Sequence, residues 1–409
     1  MRRRLFGRAG RALAVLMLAV PVIAACGGPA ATPTSPAATN TTAVDVATAT
    51  TMVEQPTATT AMEAPTATTA MPEETATEGT EATGTATGTT GEGGTLKVGL
   101  VTDVGRLNDK NFNQGSWEGV LRAKDELGVE TNYIETSDTK DYDKNIQQFV
   151  DQDYDVVVTV GFALGEATVK AAKANPDIKF IGVDQFQAEE IPNLAGLIFD
   201  EDKAGYLAGV LAASISKSNN IGAILATDDV PPVWKFGEGY KAGAKSVKPD
   251  ITVQATYHSD VDITKTFVDP EWGKTTALSM IDRGADVVFG AGGLTGNGAI
   301  FAAKERNIPA IGVDVDQYET IGDEYKGSLV SSAMKLLGPG VFNLIKAAQD
   351  GTFKGGNNVG EVGVAPYHDW ADRVPAEVDA KVKEVDANLK NGTVKTCVPP
   401  AKGAPNPCQ

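Results

Sequence analysis

The feature that most constrains this chain is a regular alternation of apolar strand-like runs with amphipathic helical patterns, which extends from Leu96 to about Thr396. Strands that alternate with helices are typical of parallel sheets covered by helices on both faces. One series of strand-like runs lies between Leu96 and Phe199, and a second begins at Ile221 after a helical pattern at Lys203–Lys217. The alternation therefore predicts an α/β protein with two sheet-based units.

The two series resemble each other in sequence. In each, a strand-like run that starts with Asp ends in Gly, and a later run with the sequence Ile-Gly-Val ends in Asp; these residues are Asp155, Gly161 and Asp184 in the first series and Asp286, Gly292 and Asp314 in the second. Two lobes built on one plan explain the echo, and chance convergence of short βαβ units is the alternative. If the carboxyl ends of the strands face each other, Asp184 and Asp314 lie on opposite walls of a cleft.

The sequence pattern of Leu96–Gln114 predicts that this segment forms part of that cleft. An apolar run is followed by a polar loop and then by a helical pattern that begins near Phe112. Because ligands bind outside the carboxyl ends of parallel strands, the loop places several side chains at a pocket mouth, namely Asp103, Asn108, Asp109, Phe112 and Asn113. The alternative is a plain connecting loop whose Asn or Asp caps the helix.

The first 25 residues have the pattern of a secretory signal. Five Arg precede an apolar run at Ala12–Ile23, and small residues follow before Cys26. The string Ile-Ala-Ala-Cys-Gly resembles the bacterial lipobox, which predicts that Cys26 becomes a lipidated N-terminus. An ordinary signal peptide that contains Cys is the alternative. Lipidation would anchor the protein to the outer face of the cell membrane without a span.

The composition of residues 26–93 predicts a flexible tether. Thr, Ala, Pro and Gly dominate this segment, and it contains no aromatic residue, no Lys and no Arg. Such a composition cannot bury a core, so we expect a disordered coil that spans about 40–50 Å on average. The net charge of the whole sequence, −17, argues against nucleic-acid binding, which requires a basic surface.

Several motifs together resemble the basic-membrane-protein (BMP) family of lipoproteins, the PnrA-like substrate-binding components of ABC transporters. They are Asp103-x-Gly105 with Asp109-Lys-Asn-Phe112-Asn113-Gln114, Gly182-Val-Asp184, Ala204-Gly-Tyr-Leu-Ala-Gly209, Phe236-x-x-Gly239-Tyr-x-x-Gly243 and Gly312-Val-Asp314-Val-Asp316-Gln317. Asn111 departs from the pattern, which usually has Ser there. The resemblance implies a two-lobed type I periplasmic-binding-protein fold with a three-crossover hinge. It also implies the capture of a nucleoside, with purines as the leading class, for an ABC permease.

The resemblance implies roles for individual residues. Phe112 and Phe267 match aromatics that stack on a base, Asp184 matches an acid at the base edge, and Asp103, Asn113, Asp314 and Lys335 match groups around base and ribose. Helix-start packing for Phe112, packing on Trp272 for Phe267 and a solvated position for Lys335 are the alternatives. The full predicted ligand-binding set is Asp103, Asn108, Phe112, Asn113, Phe162, Asp184, Phe267, Gly292, Asp314 and Lys335.

An enzyme is not supported by the sequence. His258 and His368 are the only histidines, and no His, Cys and acid cluster has metal-ligand spacing. The Gly-rich segment Gly290–Gly298 lacks the third Gly of a dinucleotide fingerprint. We therefore expect no cofactor, no metal and no catalysis. A type I binding protein for a sugar or amino acid is the alternative function, followed by a nucleoside hydrolase.

The family topology predicts the division of the chain into lobes. Lobe 1 is expected at 94–200 plus 315–350 and lobe 2 at 201–314 plus 351–396, followed by a tail at 397–409. Cys397 and Cys408 flank a Pro-rich loop in that tail. Outside the cytoplasm they should form a disulfide, and two free thiols are the alternative. We expect a monomer that contacts permease subunits.

Overall fold

Two six-stranded sheets organise the part of the chain that this computed structural model describes, residues 95–408. The predicted signal segment, the lipidation site Cys26 and the predicted tether lie outside the described residues. The strands, in chain order, are β1 Lys97–Val104, β2 Glu130–Thr136, β3 Val156–Val160, β4 Lys179–Val183, β5 Leu194–Phe199, β6 Asn220–Leu225, β7 Thr252–Tyr257, β8 Val288–Ala291, β9 Ala310–Asp314, β10 Leu329–Lys335, β11 Gly356–Gly360 and β12 Val362–Val364.

Helices connect most of the strands. They are α1 Phe112–Leu127, α2 Tyr142–Val150, α3 Gly165–Ala174, α4 Glu201–Ile215, α5 Pro231–Val247, α6 Ile263–Thr266, α7 Pro270–Asp282, α8 Gly293–Arg306, α9 Gln317–Thr320, α10 Asp323–Lys326, α11 Leu337–Gln349 and α12 Ala376–Lys390, with single 3₁₀ turns at Thr139–Asp141, Phe162–Leu164 and His368–Trp370. Among the helices of residues 95–408, none has both the length and the apolar composition that crossing a bilayer requires.

The two sheets have the same topology. The first has the order β11-β5-β4-β3-β1-β2 and the second the order β12-β10-β9-β8-β6-β7. All neighbours are parallel except β10 and β12, which pair antiparallel. In each sheet the order reverses beside the first strand of its series, and ligands bind at such switch points, beyond the carboxyl ends of the strands.

The chain crosses between the sheets three times, and these crossings correct the predicted lobe boundaries. The crossings lie between β5 and α4, between β10 and α11, and between β11 and β12. Lobe 1 is therefore 95–200 plus 337–360, and lobe 2 is 201–336 plus the segment from β12 onward. Assigning 315–336 to lobe 1 and 351–360 to lobe 2 was wrong. Periodicity shows that a strand exists, whereas its sheet is decided by long-range pairing: β10 pairs with β9 and β11 with β5.

Helices α4 and α5 pack closely in lobe 2 because glycines on each helix lie against the backbone of the other. A Cβ on Gly209 would lie 2.1 Å from the Tyr240 carbonyl oxygen, and one on Gly243 would lie 2.0 Å from the Tyr206 carbonyl oxygen. Tyr240 itself is fully buried and stacks on Phe289. The glycines and Tyr240 of these two family motifs therefore encode the core of lobe 2, whereas Phe236 of the second motif lines the cleft.

The C-terminal segment returns to lobe 2. Cys397 and Cys408 form a disulfide, and the Lys402 ammonium lies 2.7 Å from Oδ2 of Asp228 in the loop before α5. The Thr396 hydroxyl bonds the carboxylate of Asp202 in α4. These contacts hold the tail against the two helices that build one wall of lobe 2.

Candidate ligand-binding site

A cleft lies between the carboxyl ends of the two sheets, with an empty volume of about 940 Å³ that includes space open to solvent. Most of the predicted ligand-binding residues line it, namely Asp103, Phe112, Asn113, Phe162, Asp184, Phe267, Gly292, Asp314 and Lys335. The folding of both lobes thus brings to one cavity side chains that are far apart in the sequence, from Asp103 to Lys335.

Asn108 does not line this cleft, so its prediction as a ligand-binding residue was wrong. Its side chain is exposed and lines a separate pocket together with Lys110 and Tyr325. The reason is local: the Asp109 carboxylate accepts hydrogen bonds from the backbone N–H groups of Asn111, Asn113 and Gln114, at 3.0, 2.9 and 3.1 Å. Because these bonds turn Asp109 toward the start of α1, it is Asp109 that lines the cleft.

Lys335 forms the charged centre of the cleft. It is buried at the end of β10, so the solvated alternative does not hold. Its Nζ lies 2.6 Å from Oδ2 of Asp184 and 3.5 Å from Oδ1 of Asp314. The carboxylate from lobe 1 and the carboxylate from lobe 2 therefore converge on one ammonium group.

Burial and charge shift the pKa values of this cluster in physically consistent directions. Burial lowers the pKa of Lys335, but attraction to Asp184, Asp314 and Glu201 outweighs that effect and raises it above its usual value. Burial raises the pKa of Asp314 to about 6, with Lys335 opposing the shift and Asp184 adding to it. Burial also raises the pKa of Glu201 to about 7, with repulsion from Asp184 adding to the shift. Lys335 is therefore held as a cation.

Matched turns aim the two acids into the cleft. Asp184 follows β4 with φ 60°, and Asp314 ends β9 with φ 67°. Both residues adopt the left-handed conformation, which Asp tolerates better than most residues. The two strand-end glycines of the repeat are also equivalent, with φ 119° at Gly161 and φ 116° at Gly292. The sequence echo therefore corresponds to two copies of one backbone geometry.

Asp103 has a partner that the sequence did not reveal. The Tyr142 hydroxyl donates a hydrogen bond to its Oδ1, and the Val104 N–H lies 2.6 Å from the same oxygen. Burial raises the pKa of Asp103, with these two bonds acting in the opposite direction. Tyr142 also lines the cleft. It is not among the predicted ligand-binding residues, and an aromatic residue at the start of α2 was the one available signal.

Aromatic rings supply the flat surfaces of the cleft. The Lys335 ammonium lies 4.5 Å from the ring centre of Phe112 and 5.7 Å from that of Phe236. Phe267 lines the cleft from lobe 2. The ring of Trp272 stacks on that of His258, with 4.0 Å between the ring centres. Phe162 is 46 % exposed at the cleft surface. Phe236 and the neighbouring Pro232 and Val233 were not predicted, because their residue types are those of any helix core.

Two buried acceptors in the cleft have no hydrogen-bond partner among the described residues. They are Oδ1 of Asn113 and Oδ1 of Asp184. The other polar atoms of the two side chains are engaged, since Asn113 Nδ2 donates to the Arg106 carbonyl and Asp184 Oδ2 bonds Lys335. An unpaired buried acceptor is costly, so these atoms are suited to donor groups of a ligand.

One group of side chains outside the cleft has the spacing of metal ligands. Ligand atoms of Asp316, Glu319 and His368 lie within 4.8 Å of one another. His368 comes from a distant part of the sequence, which is why sequence spacing did not reveal the group. His368 Nε2 lies 2.7 Å from Oδ2 of Asp316, so the two already form a hydrogen-bonded pair.

Comparison with known proteins identifies relatives over most of the described chain. Residues 96–362 match the family described as "ABC transporter substrate-binding protein PnrA-like". The chain is 35 % identical over 293 residues to the "ABC transporter nucleoside-binding protein BmpA" of Lactococcus lactis, covering 67 % of this chain and 81 % of that protein. It is 34 % identical over 285 residues to an uncharacterised lipoprotein of Pyrococcus horikoshii, covering 67 % of this chain and 68 % of that protein.

The fold also has solved counterparts. A solute-binding protein of an ABC transporter system from Aeropyrum pernix superposes with a TM-score of 0.65 at 25 % identity, covering 73 % of this chain and 92 % of that one. The predicted fold class, a two-lobed α/β periplasmic-binding-protein fold of type I, is confirmed by this likeness together with the two observed sheets.

Proposed function

We infer the ligand and location of this chain from the premise that it belongs to the PnrA-like family of ABC transporter substrate-binding proteins. Members of that family are binding proteins for transport and not enzymes, so the predicted absence of catalysis is confirmed by family membership. Within this frame, the chain captures a nucleoside in the cleft between its lobes and passes it unchanged to a permease. Purine nucleosides are the leading ligand class.

The observation that carries the proposal is the pairing of aromatic faces with unpaired acceptors in one cavity. A planar base can stack on Phe112 and Phe267, and stacking on an aromatic contributes roughly 1–3 kcal/mol per base. Oδ1 of Asp184 and Oδ1 of Asn113 can accept hydrogen bonds from N–H and O–H donors of the base and sugar. The relative from Lactococcus lactis, named as nucleoside-binding, supports the same ligand class.

The charge of the cleft favours a nucleoside over a nucleotide. Four acids, Asp103, Asp109, Asp184 and Asp314, line the cavity with two cations, Arg106 and Lys335, and the Lys335 ammonium is already paired with two of the acids. A phosphate would meet these carboxylates in a poorly solvated site, where repulsion between like charges is strong. Sugar hydroxyls, in contrast, donate to carboxylates.

The location of the protein follows from its relatives at a coarse level. Relatives are named lipoproteins, and the family acts in ABC transport, which indicates a membrane-associated, extracytoplasmic protein. We propose in addition that Cys26 carries the lipid, that the tether connects this anchor to lobe 1, and that the protein works as a monomer.

A ligand panel tests the nucleoside assignment against a sugar or amino acid. Guanosine, adenosine, inosine, pyrimidine nucleosides, free bases, sugars and amino acids are screened by thermal shift on the chain without its signal segment. A ligand at 100 times its Kd stabilises the bound form by about 2.7 kcal/mol, so a tight ligand is readily detected. We expect calorimetry to give micromolar or tighter binding of a purine nucleoside. A clear titration with a sugar or amino acid, with no heat from any nucleoside, would overturn the assignment.

A further inference from the structure

A short loop of lobe 1 reaches into lobe 2 behind the cleft. The loop is Asp109–Asn111, immediately before α1, and Lys110 in its centre has φ 72°. The Asn111 amide nitrogen donates to the carbonyl of Gly293, at 3.2 Å, and lies 3.4 Å from Oδ1 of Asn297. Both acceptors belong to α8 of lobe 2.

Lobe 2 holds the same loop by its backbone. Asn297 Nδ2 donates to the Asp109 carbonyl at 3.0 Å, and the hydroxyl of Thr320 donates to the Lys110 carbonyl at 2.6 Å. Gln317 Nε2 donates to the Lys110 carbonyl at 3.3 Å and to Asn297 Oδ1 at 2.8 Å. A continuous set of hydrogen bonds therefore joins the two lobes.

These side chains are buried but do not line the ligand cavity. Asn111 has no exposed surface, and Asn297 and Gln317 are each 1 % exposed. None of the three is among the residues that line the cleft. Separating the lobes would leave their polar groups without these partners until water reached them, so the contacts favour the closed arrangement.

We propose that Asn111, Asn297 and Gln317 form a cross-lobe latch that stabilises the closed arrangement and slows ligand release without contacting the ligand. The latch contacts are made by protein groups alone. The proposal rests on the proposed function only for the choice of nucleoside as the probe in the release measurement.

A Ser in place of Asn111 would end one atom after Cβ and would lack the amide nitrogen that reaches Gly293 and Asn297. The other role of Asn111 is local, because its Oδ1 accepts from the Phe112 N–H at 2.7 Å and caps α1. Ser is an equally good cap. The variant N111S therefore separates the latch from the cap.

The first measurement needs no ligand. In the full chain with Cys26 replaced by Ser, spin labels are placed on exposed helix positions of the two lobes through Lys144→Cys and Lys304→Cys. Pulsed dipolar spectroscopy then gives the distribution of inter-lobe distances. We expect N111S to shift the distribution toward longer distances than in the parent. N132S, the same change at an exposed position on β2, is the control and should match the parent.

The second measurement is nucleoside release by stopped flow. We expect N111S to release the nucleoside on the order of 2- to 10-fold faster, the factor for one or two neutral hydrogen bonds. N111D should be faster still, because its carboxylate keeps the shape of Asn but faces two oxygen acceptors. N297S tests the latch from the other lobe and should act in the same direction.

The outcomes distinguish the latch from the ligand assignment. Identical distance distributions and release rates in the parent and N111S would overturn the latch. If no nucleoside binds the parent while N111S still shifts the distances, the latch stands and the nucleoside assignment fails.

Discussion

At the scale of single residues, Lys335 shows how a charged group is accommodated at the buried base of the cleft. Burying an isolated ammonium is very costly, yet the carboxylates of Asp184 and Asp314 and the face of the Phe112 ring surround this one. The arrangement leaves one oxygen of Asp184 free for a ligand. The same charge pair therefore joins the two lobes and presents a recognition group.

Replacing Phe112 by Ala should weaken nucleoside binding by about 1–3 kcal/mol while the fold is retained, since the base loses one stacking face. Calorimetry measures the affinity, and circular dichroism checks the fold. Phe353→Ala, which removes a partly buried ring at the edge of the lobe 1 core, is the control. It should lower thermal stability and leave affinity unchanged. If F112A behaves like F353A, Phe112 is a packing residue only.

The pKa of Asp314 predicts a pH effect with a defined sign. Burial raises this pKa from 3.8 to about 6, so the folded state binds the proton more tightly than the unfolded state. Stability from this group is therefore present below about pH 4 and is lost as the pH rises through about 6. Relative to Asp314→Asn, the parent should lose on the order of 3 kcal/mol across this window. Chemical unfolding at a series of pH values measures the difference.

Asp125→Asn, at an exposed position on α1, is the matched control for this titration. A constant difference between the parent and D314N from pH 4 to 7 would contradict the assignment of the shift to Asp314.

At the scale of elements, the α4–α5 pair depends on the absence of side chains at its contact. A Cβ on Gly209 would lie 2.1 Å from a backbone oxygen, whereas the nearest atom to a Cβ on Gly165 in α3 lies at 3.8 Å. Gly209→Ala should destabilise the protein by roughly 1–3 kcal/mol through overpacking. Gly165→Ala should be neutral or slightly stabilising. Urea unfolding of both variants compares the same Gly-to-Ala change at a tightly packed position and at an uncrowded one.

The limits of sequence reasoning also lie at the level of elements. The strands and helices around Asp103, Asp184 and Asp314 were predictable, because a buried strand that ends in a carboxylate has a clear pattern. The sheet to which β10 and β11 belong was not predictable, since an apolar run has the same pattern in either lobe. Asn108 and Asp109 show the same limit, because only backbone hydrogen bonding decides which side chain of a loop turns inward.

At the scale of the whole molecule, the repeat Gly-Val-Asp predicted two lobes on one plan, and the φ values of Asp184 and Asp314 give that plan a geometric form. The cross-lobe hydrogen bonds were beyond sequence analysis. Asn111 and Asn297 are 186 residues apart, and nothing in their types distinguishes them from other helix-start or helix-interior asparagines. Long-range polar contacts depend on the final packing of both lobes.

The lipid anchor is tested on the whole cell. Cys26→Ser should move the protein from the membrane fraction to the soluble fraction, because the acceptor of the lipid is lost. Immunoblots of separated fractions measure the shift, with an unchanged chain grown in parallel. Retention of the processed C26S variant in the membrane would show that something other than this cysteine holds it.

The direction of β1 separates the start of the described chain from the cleft. Thr95 precedes the amino end of this eight-residue strand, whereas Asp103 near its carboxyl end lines the cleft. At about 3.3 Å per residue, the two ends are roughly 20–25 Å apart. A force applied to the chain at Thr95 would therefore act on lobe 1 at the end of β1 that is remote from the ligand-binding residues.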